Sequence, residues 1–144
     1  MLSTRCWCES GRCCKQKQVC GFSKKRRRKN NLRWLEEVES TNDEMRRLPT
    51  ENGQRISVVV ADFQCKGRGQ GTNTWESERG KNLLFSIKIR PVMVPVRCQF
   101  LLSMAGGLAI KDALDAYTAG ITLKWPNDVY WNDRKICGTL IETT

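Results

Sequence analysis

The stretch "RISVVVADFQCKGRGQGTNTWESERGKNLLFSIKIR", residues 55–90, places two apolar runs on either side of a loop too rich in glycine to continue either. Residues 55–62 form a continuous β-branched run, which predicts a strand buried on both faces. In residues 82–90, Leu84, Ser86, Lys88 and Arg90 alternate with Leu83, Phe85, Ile87 and Ile89, which predicts a strand with one wet face. Between them lie Lys66, Gly67, Arg68, Gly69, Gln70 and Gly71, and then a lone Trp75. Glycines let a backbone approach a ligand closely, and consecutive N–H groups form a nest for an anion. Arg68 adds a planar fork that grips phosphate or carboxylate in two places. A flexible connection between strands is the competing reading, and the pattern differs from a Walker loop, which needs Gly-Lys-Ser/Thr opening a helix.

Working outward, "LRWLEEV" (32–38) reads as a strand and "STN" (40–42) as the cap of a short helix beginning near Asp43 and stopping at Pro49. "ENG" (51–53) is a turn. Downstream, Leu101, Met104, Ala105, Leu108, Ala113 and Leu114 recur at three- and four-residue spacing, the stripe of an amphipathic helix interrupted by Gly106-Gly107 and ended by Gly120. "ITLKW" (121–125) is extended, because Trp125 precedes a proline. "VYW" and "KICGTLIET" flank "NDR" (132–134) as a β-hairpin. The expected fold is therefore α+β, helices packed on a mainly antiparallel or mixed sheet.

A chain of 144 residues with 40% hydrophobic content suffices for one core. Its net charge of +10 is unevenly spread. Residues 1–30 hold ten Lys/Arg against one Glu, whereas residues 31–144 are nearly balanced at 15 against 14. The expected division is thus a Cys/Arg-rich, disordered tail over 1–30 and a folded domain over 31–144. Cys6, Cys8, Cys13, Cys14 and Cys20 lack the paired spacing of a zinc site, and there is no histidine. No metal site is expected. "KKRRRK" (24–29) admits a phosphate-binding or nuclear-address reading, but a solvated charge run is the simpler one, so nucleic acid is not expected as a partner. Cys65, Cys98 and Cys137 read as small residues of a reducing compartment. No run approaches the roughly 20 apolar residues of a membrane span, and a cytoplasmic location without membrane contact is expected.

"KWPND" (124–128) is the second constellation: Lys124 ends a strand and Trp125-Pro126 stiffen its exit, which would hold the ammonium on rigid backbone. A lysine beside a well-made turn is the plainer reading. Together with "STN", "Q-x-x-GRGQGTNTW" (64–75), "GKNLLFS" (80–86) and "KWPNDVYWNDRKICGTLIE" (124–142), it resembles the catalytic core of biotin–protein ligases over residues 36–142. The resemblance implies a synthetase-like fold and a ligase that activates biotin with Mg-ATP as biotinyl-5'-AMP. The biotinyl group then passes to a lysine of a biotin carboxyl carrier protein.

It also implies roles. Ser40, Thr41 and Asn42 would line the biotin pocket, Gln64 would hydrogen-bond near the biotin head, and Arg68 with the Gly67–Gly71 backbone, Gly69 and Gln70 included, would close over the adenylate. Lys124 would bridge biotin's carboxyl and the α-phosphate, so that Arg68 and Lys124 converge on one pocket as the catalytic pair. Trp75 would stack on adenine or anchor the loop, and Gly138 would let the hairpin approach biotin. Gln70 stands where many relatives carry a second arginine, which implies weaker retention of the acyl-adenylate. Relatives continue beyond this hairpin, so the chain is expected to be a C-terminally shortened catalytic core. Open sheet edges would then favour self-association, a homodimer included. A non-catalytic biotin-binding remnant and a basic-tail nucleic-acid binder are the alternatives.

Overall fold

The computed structural model describes residues 2–6, 25–29, 31–49, 56–90 and 94–143. The expected turn at 51–53 and Cys8, Cys13, Cys14 and Cys20 lie outside them. Among the described residues, eight strands make one mixed sheet in the order β2 (Lys25–Lys29), β3 (Leu32–Leu35), β4 (Ile56–Ala61), β7 (Leu84–Ile89), β1 (Leu2–Cys6), β10 (Arg134–Ile141), β9 (Asp128–Trp131), β8 (Ile121–Lys124). The β3–β4 pair is parallel and every other pair in this sheet is antiparallel. The glycine loop carries its own small ladder, β5 (Gly67–Arg68) against β6 (Thr74–Trp75). The α+β expectation holds. Two strands come from the segment expected to be disordered: main-chain ladders do not need the apolar periodicity that this segment lacks.

Helix α1 (Thr41–Arg47) is only seven residues long, yet Thr41, Asn42 and Met45 are all buried. Ser40 caps it from an extended conformation, its hydroxyl accepting from the Asn42 N–H, so the helix begins two residues earlier than expected. Asp43 and Glu44 sit in its first turn and Arg46 and Arg47 in its last, in favourable order for the helix dipole. Met45 packs with Leu35, Val38, Val59 and Ala61 to form one core.

The predicted wet face of β7 is not wet where it matters: Leu84 and Ser86 are both 0% exposed. The N-terminus of α1 lies on that face, and the Ser86 hydroxyl is within hydrogen-bonding distance of Thr41 and Asn42.

Helix α2 (Gln99–Asp115) covers the other face, over Ile121, Val129 and Cys137. Its orientation differs from the expected stripe. Leu101, Met104 and Leu108 are exposed, while Ile110 and Leu114 pack on the sheet. Gly107, one of the pair read as an interruption, faces the strand: a Cβ there would lie in ordinary contact, 3.8 Å from the Leu123 methyls.

Register shows which strand residues share a face. Leu84 and Gly138 are both opposite Arg5, and Gly138 is opposite Asp128, which is opposite Lys124. This row faces α1; Cys137, next to Gly138, faces α2. The "KWPND" turn contains a cis Trp125–Pro126 bond and is tied to β10, with Asn127 Nδ2 donating to the Thr139 carbonyl at 2.9 Å and the Thr139 N–H donating to the Asn127 carbonyl at 2.8 Å. No helix among the described residues is long and apolar enough to cross a membrane.

Candidate active site

The buried polar residues of the α1 half are a single network. Both the N–H and the hydroxyl of Thr41 donate to Gln64 Oε1, at 2.7 and 2.9 Å. Ser86 Oγ lies 2.8 Å from Thr41 Oγ1 and 2.5 Å from Asn42 Oδ1, two acceptors for its one proton. Asn42 Nδ2 donates to Glu142 Oε2 at 2.9 Å. These groups are withdrawn from water and would each be costly to bury alone, so the network is what permits polar residues at the centre of the sheet. It leaves one donor unspent: Gln64 is 3% exposed and its Nε2 has no hydrogen-bond partner among the described residues. That amide lies against Gly67, and it is Gly67 that lines the adjoining cavity.

The cavity has a volume of about 640 Å³, within the range of small-molecule sites. The glycine loop with Arg68 and Trp75 forms one side of it, and Asp43, Leu140 and Glu142 contribute to the rest. Gly67 must be glycine, because a Cβ there would collide with the backbone oxygen of Trp75 across the β5–β6 ladder. Gly71, at φ 63°, makes the left-handed turn of the loop. Gly69 closes the loop through its N–H to the Asn73 carbonyl at 2.7 Å; Gln70 is exposed and accepts from the Asn73 N–H.

Arg68 is held by acids. Its guanidinium lies 2.8 Å from Asp43 and 3.1 Å from Glu142, and Arg46 is 3.1 Å from the same Glu142. Two cations and two carboxylates balance, so the two carboxylates occupy the positions at which an anionic ligand would meet Arg68. Lys66, which also lines the cavity, pairs with Glu39 at 2.6 Å, and this hydrogen bond and charge hold the Glu39 carboxyl below its ordinary range.

Neither Lys124, the expected partner of Arg68, nor Lys135 is among the residues that line the cavity. Lys124 is on the same sheet face as the cavity, but it is exposed at the edge strand β8, with its ammonium 5.6 Å from the Tyr130 ring centroid, and it does not line the cavity. Two strand spacings, roughly 10 Å, separate it from Gly138. Lys135 occupies the nearer position. Its ammonium is 2.6 Å from Asp128 and 5.9 Å from the Trp75 ring centroid, and its Cε would be 3.4 Å from a Cβ on Gly138. Strict alternation would turn Lys135 towards α2. The register shift between Lys135 and Cys137 instead puts Ile136 and Cys137 together on the α2 side and frees Lys135 for the cavity side.

Ser40, Thr41, Asn42, Gln64, Gly67, Arg68, Gly69 and Trp75 are therefore brought together, and Gly138 borders them through the Trp75 ring, 3.5 Å from its would-be Cβ. Asp43, Ser86, Lys135 and Glu142 were missed. Lys135 and Glu142 lay inside a quoted motif, and their local signal was the bulge and the strand end. Cys65 also lines the cavity and is disulfide-bonded, in contrast to the free thiol expected, while Cys98 and Cys137 are free. Among the described residues no three His, Cys, Asp or Glu side chains gather into a metal site.

A capped helix thus donates into a buried glutamine beside a glycine loop that presents an arginine. Residues 34–144 match the Biotin/lipoate A/B protein ligase family, and the chain belongs to that family. It is 35% identical over 120 residues to biotin–protein ligase 2 of Arabidopsis thaliana, covering 78% of this chain and 35% of the plant protein. Its fold is similar to that of the biotin protein ligase of Leishmania major in complex with biotinyl-5-AMP, with a TM-score of 0.69, 33% identity and coverage of 81% of this chain and 53% of that one. The Aquifex aeolicus biotin protein ligase in complex with biotin and ATP matches with a TM-score of 0.59 and 32% identity, over 80% and 47% of the two chains. The chain thus spans about a third of the plant relative's length and about half of each structural relative's.

Proposed function

We propose that this chain carries the biotin-activating site of an ATP-dependent biotin–protein ligase. Biotin's carboxylate oxygen attacks the α-phosphorus of ATP and pyrophosphate leaves. The ε-amine of a lysine on a biotin carrier protein then attacks the acyl carbon of biotinyl-5'-AMP, and AMP leaves. The observation that carries this reading is the unspent Gln64 amide beside the Thr41–Asn42–Ser86 network, at the edge of a cavity bordered by Arg68. A neutral, hydrogen-bonding head group suits the network, and the acid and phosphate suit the cations.

Arg68 would exchange its contacts with Asp43 and Glu142 for the ligand's oxygens, and the loop's N–H groups would close over them. Fixed donors and cations stabilise charge that develops in the transition state without reorganising. We assign to Lys135, and not to Lys124, the position beside the carboxyl and α-phosphate, because Lys135 borders Trp75 and Gly138. Trp75 offers a ring face beside the adenylate. Mg²⁺ would arrive with the triphosphate, since the described residues form no cage of their own for it.

The test separates the half-reactions: biotin with Mg-ATP labelled at the α-phosphate, assayed first for the acyl-adenylate and then for transfer to a biotin carrier domain. Lys135→Ala is expected to slow adenylate formation about 100-fold and Lys124→Ala less than about tenfold. A larger loss from Lys124→Ala would return the role to Lys124, and absence of the adenylate in the unmutated chain would refute the catalytic reading.

A further inference from the structure

The sheet is two half-sheets joined by one strand. β2, β3, β4 and β7 form one half, β10, β9 and β8 the other, and β7 and β10 do not pair with each other. β1 lies between them, antiparallel to both: Leu2 to Cys6 pair in order with Ile141 to Cys137, and Leu2 to Arg5 pair with Ile87 to Leu84. This joining strand lies outside the family-matching region, which begins at residue 34 and contains both of its neighbours. The cavity straddles the same seam. Asp43 comes from α1 and Arg68 and Trp75 from the β5–β6 ladder that links β4 to β7, whereas Leu140 and Glu142 lie on or just beyond β10.

We propose that the gap between β7 and β10 is a strand-binding slot for an extended segment antiparallel to both neighbours, and that Leu2–Cys6 of this chain fills it as an exchangeable complement. The argument is about main-chain groups. A central strand satisfies N–H and C=O groups on both of its neighbours, and an empty slot would leave two facing edges with unpaired donors and acceptors. Because recognition is carried by the backbone, the occupant needs an extended conformation and few special side chains, which is the basis of strand addition by peptides. The N-terminus thereby sets the spacing of the two cavity walls, since the Leu84–Arg5–Gly138 row passes directly through it.

The experiment uses amide hydrogen exchange on the full chain, on a variant lacking residues 1–6, and on full-length Thr4→Pro, which removes a ladder donor from the middle of the strand. All are kept in dithiothreitol, so that the Cys65 disulfide is open in each. Exchange at residues 84–89 and 134–142 should rise at least tenfold in both variants. A synthetic peptide of residues 1–6 should restore protection to the deletion variant saturably, and its Thr4→Pro version should not. Unchanged protection in either variant would overturn the proposal, as would a deletion variant, folded or unfolded, that the peptide fails to restore. Because no arm reads biotin or ATP, failure here is separate from failure of the ligase reading.

Discussion

The two helices meet the same sheet on opposite terms. α1 spans seven residues and buries three of them completely, two of these polar; α2 spans seventeen and buries none. Length does not measure commitment to the fold. α1 is fixed by side chains that satisfy one another across 23 to 100 residues of sequence, Thr41 to Gln64 and Asn42 to Glu142 among them. α2 is seated by Ile110 and Leu114, with Gly107 against Leu123, and it leaves Phe100, Leu101, Met104 and Leu108 between 44% and 54% exposed. The candidate site sits under the short helix, where five of the six buried polar residues among the described ones gather, Thr139 being the other.

The contrast breaks if comparable truncations cost the same on both sides. Met45→Ala removes a side chain that is 0% exposed at the centre of the α1 core and is expected to destabilise by about 3 kcal/mol. Leu108→Ala removes one that is 50% exposed and is expected to change stability by less than about 0.5 kcal/mol. Urea melts of the two variants decide it; equal losses would mean that α2 is as deeply committed as α1.

Ser86→Ala sharpens the comparison within the α1 half. The hydroxyl supplies a proton to Thr41 or Asn42, and its loss leaves a buried acceptor unsatisfied, at about 1–2 kcal/mol. Biotin binding should weaken as well, because Asn42 then loses one of the two contacts that orient it. A Ser86→Ala chain with wild-type stability and binding would show the network to be incidental to the site.

How much of this was written in the sequence depends on which interactions were local. The Ser40 cap, the β-branched strand and the loop glycines were legible because each is a relation between neighbours in the chain. The wet face of β7 was misread because burial of Ser86 is imposed by a helix 45 residues away in sequence. The α2 stripe was misread because large apolar residues were assumed to face inward, whereas the sheet accepted the face carrying Gly107, Ile110 and Leu114. Lys135 was hidden by the bulge, which reverses the alternation that a strand reading relies on. The joining role of Leu2–Cys6 rests on main-chain pairing, for which side-chain composition carries almost no signal.

The smallest expected effect lies at the start of the loop, where Lys66 is 71% exposed beside Glu39. The hydrogen bond and charge of Lys66 lower the Glu39 pKa from its ordinary value of 4.5, with Arg47 adding a smaller Coulomb contribution. A carboxyl whose folded-state pKa is depressed binds fewer protons in the folded than in the unfolded chain. Its contribution to stability is therefore present above about pH 4.5 and is lost as the pH falls through the lower folded value. Lys66→Gln should leave thermal stability nearly unchanged at low pH, where Glu39 is protonated in both chains. It should lower stability slightly at neutral pH, less so at high salt, because exposed pairs are screened. A deficit that is the same at pH 3 and pH 7 would show that Lys66 acts through loop packing and not through its charge. The start of the loop would then obey the same rule as the buried network.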